Sequence, residues 1–139
     1  FAIETAMRLS EQLNLTWQNV ALTKRTAFLP AEITKGNRSR TVPLTDKAIQ
    51  VLNEIPRHIK GKVFPMSLNY HNKGWRALIK RADIVGLRWH DLRRESTSRL
   101  FERGLSITEV QQITGHRTLQ MLSTYTTHEA EKLVIKLRK

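Results

Sequence analysis

Apolar residues keep two different spacings along this chain, and only one stretch uses the shorter. Between residues 19 and 44 they fall into short alternating runs: Val20 and Leu22, then Ala27, Leu29 and Ile33, then Val42 and Leu44. A period of two marks strands with one buried face. Pro30 and Pro43 hold such strands to an edge or end them, so the sheet must be small. Within T-K-G-N-R-S-R, the Gly36-Asn37 pair supplies a hairpin turn and puts Lys35 on or beside its tip. Elsewhere the apolar spacing is three and four, which is helical. The chain is therefore expected to be mainly α with a small antiparallel β-sheet near its front, an α+β domain.

The helical segments have local punctuation. A first helix is expected from Phe1 to Leu15. Thr45 is placed to cap a second carrying Ala48, Ile49, Leu52 and Ile55, which Pro56 ends. Ser67 can cap a third that holds Leu68, Trp75, Leu78, Ile79 and Ala82. Gly86 marks a break, and Asp91 starts a central helix whose core face uses Leu92, Leu100 and Phe101. After Gly104, Ser106-x-x-Glu109 forms a capping box for a helix burying Ile107, Val110 and Ile113. A short helix follows from Thr118 to Tyr125, and a last one over 127–138 with Ala130, Leu133, Val134 and Leu137 in a stripe. At 139 residues the chain is one domain, large enough for a single core.

Charge narrows the partner. Twenty-four Lys and Arg against 12 Asp and Glu give +12 and a pI near 10.8, which favours a polyanion, most commonly nucleic acid. No helix sets a basic face against a broad aromatic one, and no apolar run approaches spanning length, so no membrane is expected. A cytoplasmic location, at the DNA, follows. With no cysteine, disulfides and Cys-ligated zinc are excluded. His58, His71, His90, His116 and His128 show no ligand spacing, so neither a metal nor another cofactor is expected. The chain opens at Phe1 inside a helical pattern without an initiator Met, and reads as part of something longer.

Taken singly, the residues that could carry chemistry have ordinary explanations. His90 and Arg93 are three apart, so on a helix they share a face and could aim two donors at one phosphate, Arg forking onto two oxygens. They could equally be a helix-start His and a surface Arg. Gly115-His116 could be a plain turn, Tyr125 a half-buried core tyrosine, and Arg8 with Glu11 an intrahelical ion pair. Lys35 could be a solvated lysine beside Arg38 and Arg40. Their joint order, Arg, Lys, His-x-x-Arg, Gly-His, Tyr, is what ordinary explanations do not supply.

That order resembles the catalytic domain of the tyrosine recombinases, the phage-integrase family. T-A-M-R-L-S-E-Q-L-N-L-T-W is similar to the family's first-arginine motif, at Arg8. T-K-G-N-R-S-R-T-V-P-L is similar to its hairpin-lysine motif, at Lys35. H-D-L-R matches the His-x-x-Arg box and I-T-G-H the Gly-His box, with Tyr125 nine residues beyond His116. The resemblance runs from Thr5 to about Thr126. It departs at R-E-S-T-S, where Arg94 and Glu95 replace a small, often aromatic-rich run, and at Ala6, where glycine is common. The resemblance leaves the family domain's first helices and its separate DNA-clamping module unmatched in this stretch.

The resemblance implies a site-specific DNA recombinase or integrase that cuts and rejoins strands through a 3′-phosphotyrosine, without ATP or metal. It casts Tyr125 as nucleophile, Arg8 and Arg93 as neutralisers of phosphate charge, His116 as a further hydrogen bond, Lys35 as general acid, His90 as base and Glu11 as the residue orienting the cations. The residue types suit this chemistry, because guanidinium groups can stabilise a phosphodiester transition state without a metal. Arg38, Arg40, Lys73, Arg76, Lys80 and Arg117 are then expected on the phosphate backbone. The implied partners are double-stranded DNA, other protomers in a tetramer on DNA, and accessory proteins, with residues 127–139 docking on a neighbour. Two other readings compete. A type IB topoisomerase shares the chemistry, and a helix-turn-helix module would use the segment from Ser106 to Tyr125. The Gly-His to Tyr spacing and the V-P-L hairpin favour the recombinase.

Overall fold

The computed structural model describes residues 1–57 and 61–126, together with Val134, Leu137 and Arg138. Its helices are α1 (Ala2–Thr5), α2 (Leu9–Asn14), α3 (Asp46–Glu54), α4 (Leu68–Arg81), α5 (Trp89–Glu102) and α6 (Ile107–Thr114). Strands β1 (Val20–Ala21), β2 (Thr26–Leu29) and β3 (Arg40–Pro43) form one antiparallel sheet in the order β1-β2-β3. The fold is thus mainly helical with one small sheet. Of the helix expected over 127–138, only Val134, Leu137 and Arg138 are among the described residues, and its docking on a neighbour lies outside them.

The sheet is where alternation put it, with different limits. Leu22 falls in the β1–β2 turn, and Ile33 in a 3-10 turn over Ala31–Ile33. Pro43 ends the edge strand β3, where its missing N–H breaks no ladder. Ala27 pairs with Val42 and Leu29 with Arg40, so these four side chains share a face. That register turns Arg40 inward.

The single N-terminal helix is divided in two. Ala6 has φ 53°, a left-handed conformation that closes α1, and Arg8 is extended before α2 begins. Alanine is a good helix former, so nothing in its side chain announces the break. It also gives the departure at Ala6 a physical meaning, since glycine would adopt this backbone without strain.

Side-chain caps hold where expected. Thr45 Oγ1 accepts from Ala48 N at 3.2 Å, Ser67 Oγ from Tyr70 N at 3.1 Å, and Ser106 Oγ from Glu109 N at 3.3 Å. α5, however, starts at Trp89 rather than Asp91: the Asp91 carboxylate accepts from Arg88 N at 2.8 Å, closing a capping box one turn earlier.

Instead of one core, buried apolar side chains form two clusters among the described residues. The larger joins Met7, Leu15 and Trp17 to Ala27, Leu29, Val42, Leu44, Ala48, Leu52 and Val63. The smaller comprises Leu100, Val110 and Leu122, flanked by Phe101, Leu105, Ile107 and Tyr125; Ile113 packs against both. Between them runs a buried polar seam, because α5 turns Arg93, Ser96 and Thr97 inward along with Leu100, while Leu92 and Phe101 are only partly buried. α4 departs furthest from expectation. Leu68 and Leu78 are exposed, its one buried side chain is His71, and Trp75 and His71 both meet Trp89 edge-on. No described helix is long and apolar enough to cross a membrane.

Candidate active site

The polar seam is organised by one carboxylate. Glu11 is fully buried, yet its oxygens accept four hydrogen bonds: from Arg8 N at 2.8 Å, Arg8 Nη1 at 3.3 Å, Arg40 Nη1 at 2.8 Å and Arg40 Nη2 at 2.7 Å. Burial pushes its pKa up, but the hydrogen bonds and charge of Arg40, with the Arg8 amide, outweigh this and hold it below the usual range. The break at Ala6 makes this possible. It leaves Arg8 as the N-cap of α2, so Glu11, at the third helical position, reaches back to its amide.

Arg93 enters the same seam from α5. It is 5% exposed, with Nη2 donating to Thr114 O at 2.7 Å and Nη1 to Ala6 O. Burial, then the nearby Arg8 charge, pulls its pKa down to about 10, so it stays protonated at neutral pH. Three guanidinium groups therefore stand around Glu11, an excess of positive charge that an anion would balance.

Both site histidines are biased toward the neutral form. Burial and then Arg93 lower His90, on the first turn of α5. Burial, then Arg93, Arg8 and Arg40, hold His116 at about 4. The His116 Nδ1 lies 2.6 Å from Thr114 Oγ1, which itself donates to Val110 O at 2.8 Å. With the threonine proton committed, Nδ1 is the donor, and the neutral ring offers its Nε2 lone pair to the site. Gly115, at φ 69°, ends α6 and turns the chain so that His116 faces Arg8 and Arg40.

A cleft of about 830 Å³ opens over these groups, with Arg8, Arg38, Arg40, His116 and Arg117 in its walls. A smaller recess between α2 and α5 carries His90 and Arg93, and Arg8 lines both. Lys35 is exposed on the β2–β3 connection, between Thr34 and Gly36, which reach the cleft wall although Lys35 itself does not. The turn there is made by Asn37, at φ 51°, with Thr34 Oγ1 accepting from Arg38 N at 3.0 Å. Tyr125 ends a 3-10 segment, Leu119–Tyr125, its ring stacked on Phe101 with centroids 6.2 Å apart. Arg8, Arg93, His90 and His116 are thus brought together. Lys35 lies beside the cleft wall without lining it, and Tyr125 lines neither recess, packing instead against the smaller apolar cluster. Among the described residues, no three His, Cys, Asp or Glu side chains converge as a metal site would require.

A family model described as "Phage integrase family" matches residues 1–132. The chain belongs to the phage integrase family. It is 42% identical over 137 residues to a shufflon-specific DNA recombinase of Escherichia coli, an alignment covering 98% of this chain and 35% of that protein. The chain thus spans about a third of that relative's length. A Tn1549 transposon integrase, solved in complex with a circular intermediate DNA, superposes with a TM-score of 0.78 at 17% identity, over 99% of this chain and 55% of that one. The catalytic domain of bacteriophage HP1 integrase gives 0.72 at 23% identity, over 96% of this chain and 76% of that one. At these identities the two structures establish the fold.

Set in the integrase fold, the basic residues expected on phosphate divide into three groups. Arg38 and Arg117 are exposed at the cleft. Lys73, Arg76 and Lys80 are exposed along one stripe of α4 and do not line it. Arg40 is different: its side chain is 11% exposed, and Nε, Nη1 and Nη2 all bond to protein, Nε to Ile113 O at 2.9 Å. Glu95, at the departure from the family pattern, is exposed and accepts from Arg99 Nε at 2.8 Å. Thr114 was not singled out from the sequence, although it sits inside the I-T-G-H motif; its hydroxyl and carbonyl hold His116 and Arg93.

Proposed function

We propose that this chain is the catalytic part of a site-specific DNA recombinase that cuts and rejoins strands through Tyr125. The observation that carries the reading is the concentration of Arg8, Arg93 and Arg40, with two histidines biased neutral, around the buried carboxylate of Glu11. Such a site is short of negative charge, and a DNA phosphate supplies it. The names of the family's relatives point the same way.

In this reading the phosphate rests between Arg8 and Arg93, whose charges stabilise the oxygens that become more negative in the transition state. Tyr125 Oη attacks phosphorus as His90, held neutral and so able to accept, takes the phenol proton. The P–O5′ bond breaks, Lys35 protonates the departing 5′-oxygen, and the 3′-phosphate stays on tyrosine. A 5′-hydroxyl from the other strand reverses these steps, so the phosphoester bond is conserved and no ATP is consumed. His116 hydrogen-bonds to the bound phosphate once the anion favours its protonated form. Tyr125 must leave its stack on Phe101 to reach the phosphate, and the β2–β3 connection must bring Lys35 inward; catalytic contacts often tighten only in the substrate complex. Exchange between two duplexes needs four such centres, hence a tetramer on double-stranded DNA.

The test uses the full-length protein and a nicked duplex carrying its attachment site. Denaturing gels should show a covalent protein–DNA adduct with wild type and none with Tyr125→Phe. Salt-sensitive binding with no adduct from either would favour a binding module.

A further inference from the structure

Arg40 does something that a phosphate contact could not. Its fork is closed on both oxygens of Glu11, at 2.8 and 2.7 Å, and its Nε is closed on the carbonyl of Ile113 at 2.9 Å. The flat guanidinium also lies directly beneath Gly115, where a β-carbon would come within 2.9 Å of its Cζ. To grip a DNA phosphate with the same fork, it would have to abandon a fully buried carboxylate.

Three pieces of chain meet on this one side chain. Glu11 belongs to α2 and holds both the amide and the guanidinium of Arg8. Ile113 and Gly115 belong to the end of α6, immediately before His116. Arg40 itself opens β3, directly after the connection that carries Lys35. We propose that Arg40 is a positioning residue, locking Arg8, His116 and the Lys35 connection into one frame. This rests on the strand-transfer reading above. Displacing catalytic groups by about 1 Å can cost roughly a hundredfold in rate, so the frame should be felt in the chemical step and not in DNA affinity.

Lysine separates the two roles. A lysine serves a phosphate as a point charge, but it cannot span two carboxylate oxygens and a carbonyl at once. In the full-length protein, Arg40→Lys is expected to bind the attachment site with wild-type affinity and salt dependence. At saturating nicked DNA it should form the covalent adduct at least tenfold more slowly. Glu11→Gln should be slowed likewise, and the double variant should be no slower than the worse single one. A folded Arg40→Lys protein with the wild-type adduct rate would overturn the proposal. So would weaker binding with a full rate at saturation, which is the signature of a phosphate contact. Should thermal melting show that Arg40→Lys does not fold, Glu11→Gln decides alone, a full rate overturning the proposal and a tenfold loss without weakened binding supporting it. A wild-type protein that forms no adduct overturns the strand-transfer reading and this inference together.

Discussion

Gly115 and Arg40 meet across the site so closely that a β-carbon on residue 115 would lie 2.9 Å from the guanidinium carbon. Gly115 also holds a left-handed backbone at φ 69°. Gly115→Ala should therefore cost about 2–3 kcal/mol, of which about 1–2 is backbone strain and the rest is Arg40 moved off its acceptors. Thermal melting would read this as a drop on the order of 10 °C. An unchanged melting temperature would mean that Arg40 can step aside freely.

His116 makes stability depend on pH. Its folded pKa is about 4, whereas an unfolded histidine titrates near about 6.5. The unfolded chain thus takes up the proton first as pH falls. The stabilising effect is full above about pH 6.5, is lost progressively toward pH 4, and levels off below. Discounted for a half-exposed ring, the loss is about 1–2 kcal/mol. Urea denaturation at pH 7 and pH 4.5 should show this dependence in wild type and a smaller one in His116→Gln. Equal dependence in the two would contradict the assignment.

The core lies under the sheet, not under α4. Leu52 is fully buried in the larger cluster, while Leu78 is 49% exposed. Leu52→Ala should cost about 2–5 kcal/mol, and Leu78→Ser should stay within about 0.5 kcal/mol. Comparable losses in denaturant titrations would mean that α4 packs more deeply than described.

Arg117 stands exposed at the cleft wall. Arg117→Ala should weaken DNA binding to any sequence and reduce the slope of log affinity against log salt by about 1. Fluorescence anisotropy across a salt series checks this. An unaltered slope would remove Arg117 from the backbone contacts.

What could be read from the sequence was what local chemistry decides. Thr45, Ser67 and Ser106 announce their helices because a cap acts within three residues. The small sheet followed from alternation, and the same alternation held an unused clue. If Val42 faces the core, Arg40 two residues earlier must face inward as well. The break at Ala6 was hidden because alanine favours helix, and the guanidinium that meets its carbonyl, that of Arg93, comes from 87 positions away. The inward face of α5 was missed for a related reason: it carries Arg93, Ser96 and Thr97, and an apolar pattern cannot reveal a buried polar seam. α4 shows the converse, an apolar stripe that this chain leaves exposed. Among the site residues, motif order pointed to Arg8, Lys35, His90, Arg93, His116 and Tyr125 as a group; the fold gathers Arg8, His90, Arg93 and His116 and leaves Lys35 and Tyr125 outside the cleft lining.

The central claim is that Tyr125 becomes covalently joined to a DNA 3′-phosphate held by Arg8 and Arg93. The direct measurement traps the adduct on a nicked attachment site, digests it, and locates the modified residue by mass spectrometry while assaying the released strand end. The account predicts the nucleotide on Tyr125, a free 5′-hydroxyl on the released strand, and no adduct from Tyr125→Phe. A nucleotide on another residue, a released 5′-phosphate, or an adduct that survives the phenylalanine substitution would contradict it.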